Sequence, residues 1–287
     1  MKRLPIGIED FKELIDKDCY YVDKTSFITD IINEKVALYT RPRRFGKTLN
    51  MSMLYYFFSM KQKDNAYLFN DMDIVNHTDS LQYQNQYPVI FITLKDMKKH
   101  TFENQKAMFA ILIQDIVRKN QELLESEELN TFDKEQLIAY YRRSQSDVDL
   151  QNALKFLCGC LKQHYHKDVI LLIDEYDVPL QSAYLKGYYD EMADFLSGMF
   201  SAALKTNDAL EKGILTGCLR IAKESIFTGL NNFSVYSISE DQSSTSFGFT
   251  PKETITLLEH YDLKSYEQTI KEWYDGYLFG NKEIYNP

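Results

Sequence analysis

Two clusters in this chain have the residue types that phosphate chemistry needs. The first is Thr40-Arg41-Pro42-Arg43-Arg44-Phe45-Gly46-Lys47-Thr48, a basic stretch ending in Gly-Lys-Thr. The second is Asp174-Glu175, two adjacent carboxylates closing the apolar run Val169-Ile170-Leu171-Leu172-Ile173. A lysine ammonium supplies positive charge to phosphate oxygens, and a threonine hydroxyl or an aspartate can take a position on Mg²⁺. A glutamate can draw a proton from an attacking water. An anion is the natural partner of the first cluster, and a metal ion with a polarised water is that of the second.

These residues need elements to position them. Val36-Ala37-Leu38-Tyr39 reads as a short strand ahead of the basic stretch. Leu49 to Met60 reads as a helix behind it, with Leu49, Met53, Leu54, Tyr56, Phe57 and Phe58 making it apolar nearly all round, as in a helix buried against a sheet. Strand, loop, Gly-Lys-Thr, helix is the layout of a phosphate-binding loop, where N–H groups at the helix N-terminus face the phosphates. On that layout Arg43, Arg44, Phe45, Gly46, Lys47, Thr48 and Leu49 form the nucleotide-binding stretch. Lys47 reaches the β- and γ-phosphates, and Thr48 ligates Mg²⁺. The match is incomplete. The pattern asks for a first glycine where this chain has Arg41, and Pro42 has no N–H to offer. A chance Gly-Lys-Thr in a basic loop would look the same, so the context decides. Arg41, Arg43 and Arg44 repel one another, which leaves two arrangements. Either at least one points into the site and replaces the missing backbone donors, or they form an outward patch for a partner.

The run 169–173 with its two acids is a buried strand whose C-terminal tip is where an open α/β sheet places a ligand. Asp174 would hold Mg²⁺ beside Thr48, and Glu175 would polarise the water that attacks the γ-phosphate. An acid directly after the metal-side aspartate marks P-loop chains with an extra strand between the loop strand and the acid strand. Tyr87-Pro88-Val89-Ile90-Phe91-Ile92-Thr93-Leu94, near-continuously apolar like a fully buried parallel strand, fits that extra strand. Lys212 to Gly217 reads as a further strand ending in the Thr216 hydroxyl, and Arg220 follows; both are placed to sense the γ-phosphate. A fifth strand is read over Phe233–Ile238, after an Asn231-Asn232 turn.

The remaining pattern is mostly helical. Short helices are expected around Asp10–Asp16 and over Ser26–Asn33, the second with Phe27, Ile28 and Ile31 inward. The stretch Lys61 to Gln86, rich in Asn, Asp and Gln, reads as mostly loop. Residues 101–167 read as helices, one with Met108, Ile111, Leu112 and Ile116 on one face. Another is opened by the capping box Ser146-Asp147-Val148-Asp149. Tyr188–Lys205 is a further helix. Thr250-Pro251-Lys252-Glu253 opens one helix, Ser265–Trp273 forms another, and Ile284–Pro287 resembles a short edge strand. Ile6, Gly7 and Phe11 are candidates for a base pocket, with plain packing as the alternative.

Bulk properties narrow the classes. The 287 residues are 44% hydrophobic and 26% charged, which is ordinary for a globular protein. The net charge of −9 argues against direct nucleic-acid binding. Four cysteines without paired spacing argue against a zinc site and read as thiols in a reducing cytoplasm. No run approaches membrane-spanning length.

Several further motifs accompany these: Leu4-Pro5-Ile6-Gly7, Tyr21-Val22-Asp23-Lys24-Thr25, Ile173-Asp174-Glu175-Tyr176-Asp177, Leu215-Thr216-Gly217 and Ile226-Phe227-Thr228-Gly229-Leu230-Asn231-Asn232. Phe247-Gly248-Phe249-Thr250, Tyr274-Asp275-Gly276-Tyr277 and Tyr285-Asn286-Pro287 complete the set. Together with Arg41-Pro42-Arg43-Arg44-Phe45-Gly46-Lys47-Thr48-Leu49, they resemble the bacterial AAA-ATPase-like family over essentially the whole chain. The resemblance makes the missing first glycine a family trait. It implies an α/β P-loop NTPase three-layer sandwich, with a mostly parallel sheet of about five strands. On this reading residues 1–240 form the ATPase-like domain, with 1–34 packed on it as an N-terminal segment, and residues 241–287 form a small helical C-terminal region. It further implies ATP and Mg²⁺ as cofactors. Many members continue into a domain resembling PD-(D/E)XK nucleases, and the chain ends before such a domain would begin. Two functions stay open: an ATPase that drives or gates a partner, or a nucleotide-gated binding module with negligible turnover.

Overall fold

Strand β1 (Val36–Thr40) forms where five consecutive residues can all be buried, and they are. The computed structural model describes residues 1–219, 226–227, 233–274 and 276–287. Arg220, Asn231, Asn232 and Asp275, which the sequence singled out, lie outside the described residues, as do Thr228, Gly229 and Leu230. The chain divides into two units, one of residues 1–86, 216–219 and 234–287, the other of residues 87–215 and 220–233.

In the first unit, α1 (Phe11–Asp16) is N-capped by Asp10, whose carboxylate accepts from Glu13 N at 2.8 Å. In α2 (Phe27–Ile32), Phe27, Ile28 and Ile31 are all buried as expected, and the Phe27 ring meets Tyr39 edge-on at 4.9 Å. The helix after the basic loop, α3 (Lys47–Phe58), buries Met51, Met53, Leu54, Phe57 and Phe58. Phe11 is fully buried and Ile6 is exposed. The stretch 61–86 is not mostly loop. It carries 3-10 turns at Met60–Phe69 and Asp73–Asn76 and a short helix, α4 (Thr78–Leu81). Buried Leu68, Phe69 and Ile74 pin these turns down, an apolar signal diluted by the polar residues between them.

In the second unit, β2 (Val89–Thr93) and α5 (Phe102–Lys119) are followed by α6 (Glu122–Glu125), α7 (Thr131–Arg142) and α8 (Asp147–Tyr165). The capping box at Ser146 is formed, and Leu150, Ala153, Leu154, Leu157 and Leu161 make the buried stripe of α8. On α5 the buried face is Gln105, Phe109, Ala110, Ile113, Ile116 and Val117, one position round from the expected face, which shares only Ile116. Met108, Ile111 and Leu112 are half-buried. β3 (Val169–Asp174) is buried throughout. α9 (Val178–Lys186), with Pro179 in its first turn, was not signalled by a long apolar period, and α10 (Tyr189–Leu204) lies where expected.

β4 (Leu210–Gly217) begins in the second unit and ends in the first, where β5 (Ser234–Tyr236) also lies. The β1–β5, β2–β3 and β3–β4 pairs are parallel, with Tyr39 opposite Tyr236 and Thr93 opposite Asp174. The sheet order β2-β3-β4-β1-β5 corrects one expectation. The strand between the loop strand and the acid strand is β4, and β2 is an edge. The physical reason shows in burial, because β2 alternates half-buried and buried residues while β4 is buried at all but one position. This is an α/β fold with a mostly parallel five-stranded sheet. Among the described residues no helix is long and apolar enough to cross a membrane.

The first unit ends in α11 (Pro251–His260), α12 (Glu267–Tyr274) and an antiparallel hairpin of β6 (Tyr277–Phe279) and β7 (Lys282–Ile284). Thr250 and Glu253 form the expected capping box. Glu253 also accepts Lys24 Nζ on both carboxylate oxygens at 2.7 Å. Burial lowers the Lys24 pKa against the pull of that carboxylate.

Candidate functional site

The loop between β1 and α3 leaves the strand with Arg41 N donating to Gly217 O at 3.0 Å. It turns through two left-handed residues, Arg44 at φ 69° and Gly46 at φ 77°. Glycine adopts that region at no steric cost, and a residue with a Cβ pays for it. Gly46 is the N-cap of α3, has no side chain to cap with, and accepts Asn50 N at 2.9 Å. No acidic residue lies in the first turn of this helix. Its N–H groups therefore form a terminus with partial positive charge, the kind that receives anions.

Lys47 is buried, and its ammonium is folded back over the loop. It donates to Arg41 O at 3.0 Å, Pro42 O at 2.9 Å and Cys218 Sγ at 3.3 Å. Three donors thus meet three acceptors supplied by the loop and by the residue after β4. Thr48 and Leu49 are half-buried in the first turn. Phe45 has a fully buried ring against Tyr277 (4.8 Å) and Phe279 (5.2 Å), and its carbonyl accepts Gly248 N at 3.3 Å.

The three arginines do not act as a group. Arg43 and Arg44 are exposed, as either arrangement allows. Arg41 takes neither expected role: it is fully buried and points into the protein. Its guanidinium donates to Thr40 O (2.9 Å), Tyr236 O (2.7 Å) and Ser243 O (3.3 Å), and it lies over the Phe247 and Phe279 rings at 5.0 and 5.2 Å. Burial pushes its pKa down to about 10, so it remains charged at neutral pH. The sequence showed a run of like charges; it could not show that one of them is partnered by carbonyls and rings from residues near 240 and 280.

In the second unit, β3 ends on Asp174, which is fully buried, and its carbonyl accepts Leu94 N at 2.9 Å. Glu175 is half-buried and left-handed at φ 54°. Holding a non-glycine residue there costs on the order of 1–3 kcal/mol, a strain that clusters at functional sites. The chain re-enters helix at once, with Val178 N donating to Glu175 O at 3.2 Å and Gln181 Nε2 to Asp177 Oδ2 at 2.6 Å. Tyr176 and Asp177 are fully buried. Thr216, near the end of β4, is fully buried as well. The structure thus gathers Lys47, Arg41 and Cys218 in the first unit and places Asp174 and Glu175 side by side in the second. Among the described residues no group of three or more His, Cys, Asp or Glu side chains converges as a metal cage. Sequence reasoning missed Cys218 and the anchoring of Arg41. For Cys218 the signal was its place directly after Thr216-Gly217.

Comparison with known proteins bears on this geometry. A family model described as a predicted AAA-ATPase matches residues 5–227. An uncharacterized protein in the vnfD 5′ region of Azotobacter chroococcum mcd 1 is similar to this chain, 28% identical over 295 residues. That match takes in 100% of this chain and 50% of the relative, so the chain spans about half the length of the curated relative it matches. Since the family model covers well over half of the residues, including both the basic loop and the acidic strand tip, the chain belongs to the predicted AAA-ATPase family.

Proposed function

We propose that this chain binds ATP with Mg²⁺ and hydrolyses it to drive or gate a partner domain or protein. One observation carries the reading: a left-handed Gly46 leads directly into the N-terminus of a buried helix, with the Lys47 ammonium turned back over the same loop. Phosphate oxygens can take over the donors that now meet Arg41 O and Pro42 O. Lys47 and the 43–48 backbone would hold the phosphates, with Arg43 and Arg44 at the exposed rim. Thr48 and Asp174 would hold Mg²⁺. That donor set suits the ion, which usually pairs one or two carboxylates with substrate phosphates and water instead of an all-protein cage. Bound there, Mg²⁺ would neutralise charge on the β- and γ-phosphates. Glu175 would orient and deprotonate the attacking water, and Thr216 and Arg220 would sense the γ-phosphate. A cytoplasmic setting agrees with four cysteines that form no disulfide.

A second reading, a nucleotide-gated module with negligible turnover, draws on Pro42, which has no N–H, and on a Lys47 that must give up bonds to bind phosphate. Phosphate release at saturating ATP separates the two. The enzyme reading expects Glu175→Gln to slow release about 10²–10⁴-fold, the usual worth of a general base. Equal, near-zero rates in both proteins would favour the module.

A further inference from the structure

The basic loop is held from behind by chain that follows residue 233. We propose that Arg41 and Phe279 are positioning residues for nucleotide binding. They clamp the loop onto the segment 243–249 and the β6–β7 hairpin, so the phosphate-receiving shape of the loop depends on that hairpin being seated. This rests on the nucleotide reading above and extends it to residues beyond 227, where the family match ends.

The geometry has two points of attachment. At the start of the loop, the Arg41 side chain is fixed by the carbonyls of Thr40, Tyr236 and Ser243 and by the rings of Phe247 and Phe279. A buried guanidinium is tolerable only with such partners, and a lysine's single nitrogen could not reach the Thr40, Tyr236 and Ser243 carbonyls as the two ends of the planar fork do. The same residue's backbone oxygen holds Lys47 Nζ, so the place of the side chain sets the place of that acceptor. In the middle of the loop, Phe45 packs on Tyr277 and Phe279, and its carbonyl accepts Gly248 N at 3.3 Å. Phe279 touches both attachment points. Gly248 is left-handed at φ 74°, and a Cβ there would come within 2.7 Å of Phe45 Cδ1 and 2.5 Å of Ile284 Cγ2. The hairpin turn is fastened in its own right: Asn281 N donates to Asp241 Oδ1 and Gly280 N to Ile238 O, each at 2.8 Å.

The test measures ADP affinity by calorimetry in the wild type, Lys47→Ala, Arg41→Lys, Phe279→Ala and Gly248→Ala. Leu278→Ala, an exposed neighbour on the same strand, is the control. Amide hydrogen exchange is followed in parallel. Arg41→Lys, Phe279→Ala and Gly248→Ala should each weaken ADP by at least about tenfold, or ~1.4 kcal/mol, with Leu278→Ala unchanged. Exchange should rise at the 43–48 amides and stay as in the wild type at 170–173. If one of the three variants does not fold, the other two carry the test. Wild-type affinity in all three, with Lys47→Ala unable to bind, would overturn the clamp and leave the nucleotide reading standing. Faster exchange at 170–173 as well would also overturn it, because the residues would then serve the fold as a whole. No ADP binding by the wild type would overturn both.

Discussion

The loop after β1 and the acidic tip after β3 end two strands of one sheet, yet their side chains are anchored differently. The backbone course of the tip is set by neighbouring residues: Asp174 ends its strand, Glu175 turns in the left-handed region, and α9 begins within a few residues, while Leu94 N donates to Asp174 O and the Tyr176 ring meets Phe227. The loop is assembled from a distance, since Arg41 reaches Tyr236 and Ser243, Lys47 reaches Cys218, and Phe45 reaches Tyr277 and Phe279. The turn of the tip is written in the residues that follow its strand. A remotely anchored loop has its final shape only once the end of the chain is docked, so its anion-binding competence and the integrity of the C-terminal segment should rise and fall together.

Two substitutions probe stability on the remote side. The larger effect belongs to Lys24, whose side chain is 9% exposed and whose partner Glu253 is 27% exposed. Lys24→Ala takes the ammonium from the half-buried Glu253 carboxylate at the start of α11, which keeps its bond from Thr250 N, and should cost about 3 kcal/mol in urea unfolding, the low end for breaking a buried pair. A loss near zero would mean that this tie between residues 24 and 253 carries no weight, and the contrast between local and remote construction would weaken. On the local side, Asp174→Ala should lower Mg²⁺-dependent ATP affinity about 10- to 100-fold, the worth of a hydrogen bond to a charged group, and change metal-free binding less. Calorimetry with and without Mg²⁺ decides; an equal loss in both would make Asp174 a structural residue.

The smallest effect concerns Asp30, which accepts at 2.5 Å from the hydroxyl of Ser243, the residue whose carbonyl also holds Arg41. Burial raises its pKa above the ordinary 3.8. A raised folded-state pKa favours the protonated form, so its contribution to stability is fully present below 3.8 and is lost as pH climbs through the raised value. Asp30→Asn, which keeps the acceptor and removes the charge, should therefore be slightly more resistant to urea than the wild type at neutral pH. That advantage should vanish below 3.8. An advantage that persists in acid would point to packing instead of charge.

The contrast also explains what could be read from the sequence. The strand Val169–Asp174, its paired acids, the capping boxes at Ser146 and Thr250 and the strand–loop–helix around Gly46 were legible because each is written in neighbouring residues. The order of strands was not. Residues 87–94 looked as apolar as a central strand, and the alternation that marks β2 as an edge lies in burial, which composition reports poorly. On α5 the crowd of apolar residues left two overlapping faces, and tertiary packing chose between them. Arg41 was misread because its partners lie near residues 240 and 280, and a charge looks solvent-facing until its acceptors are known.

The most direct test of the central claim is calorimetric titration of MgATP into the wild-type protein and into Lys47→Ala, with circular dichroism showing both folded. The account predicts saturable binding to the wild type and a loss of more than about 100-fold in the variant, since several charge-assisted hydrogen bonds disappear at once. Equal affinity in the two folded proteins, or no binding by the wild type, would contradict it.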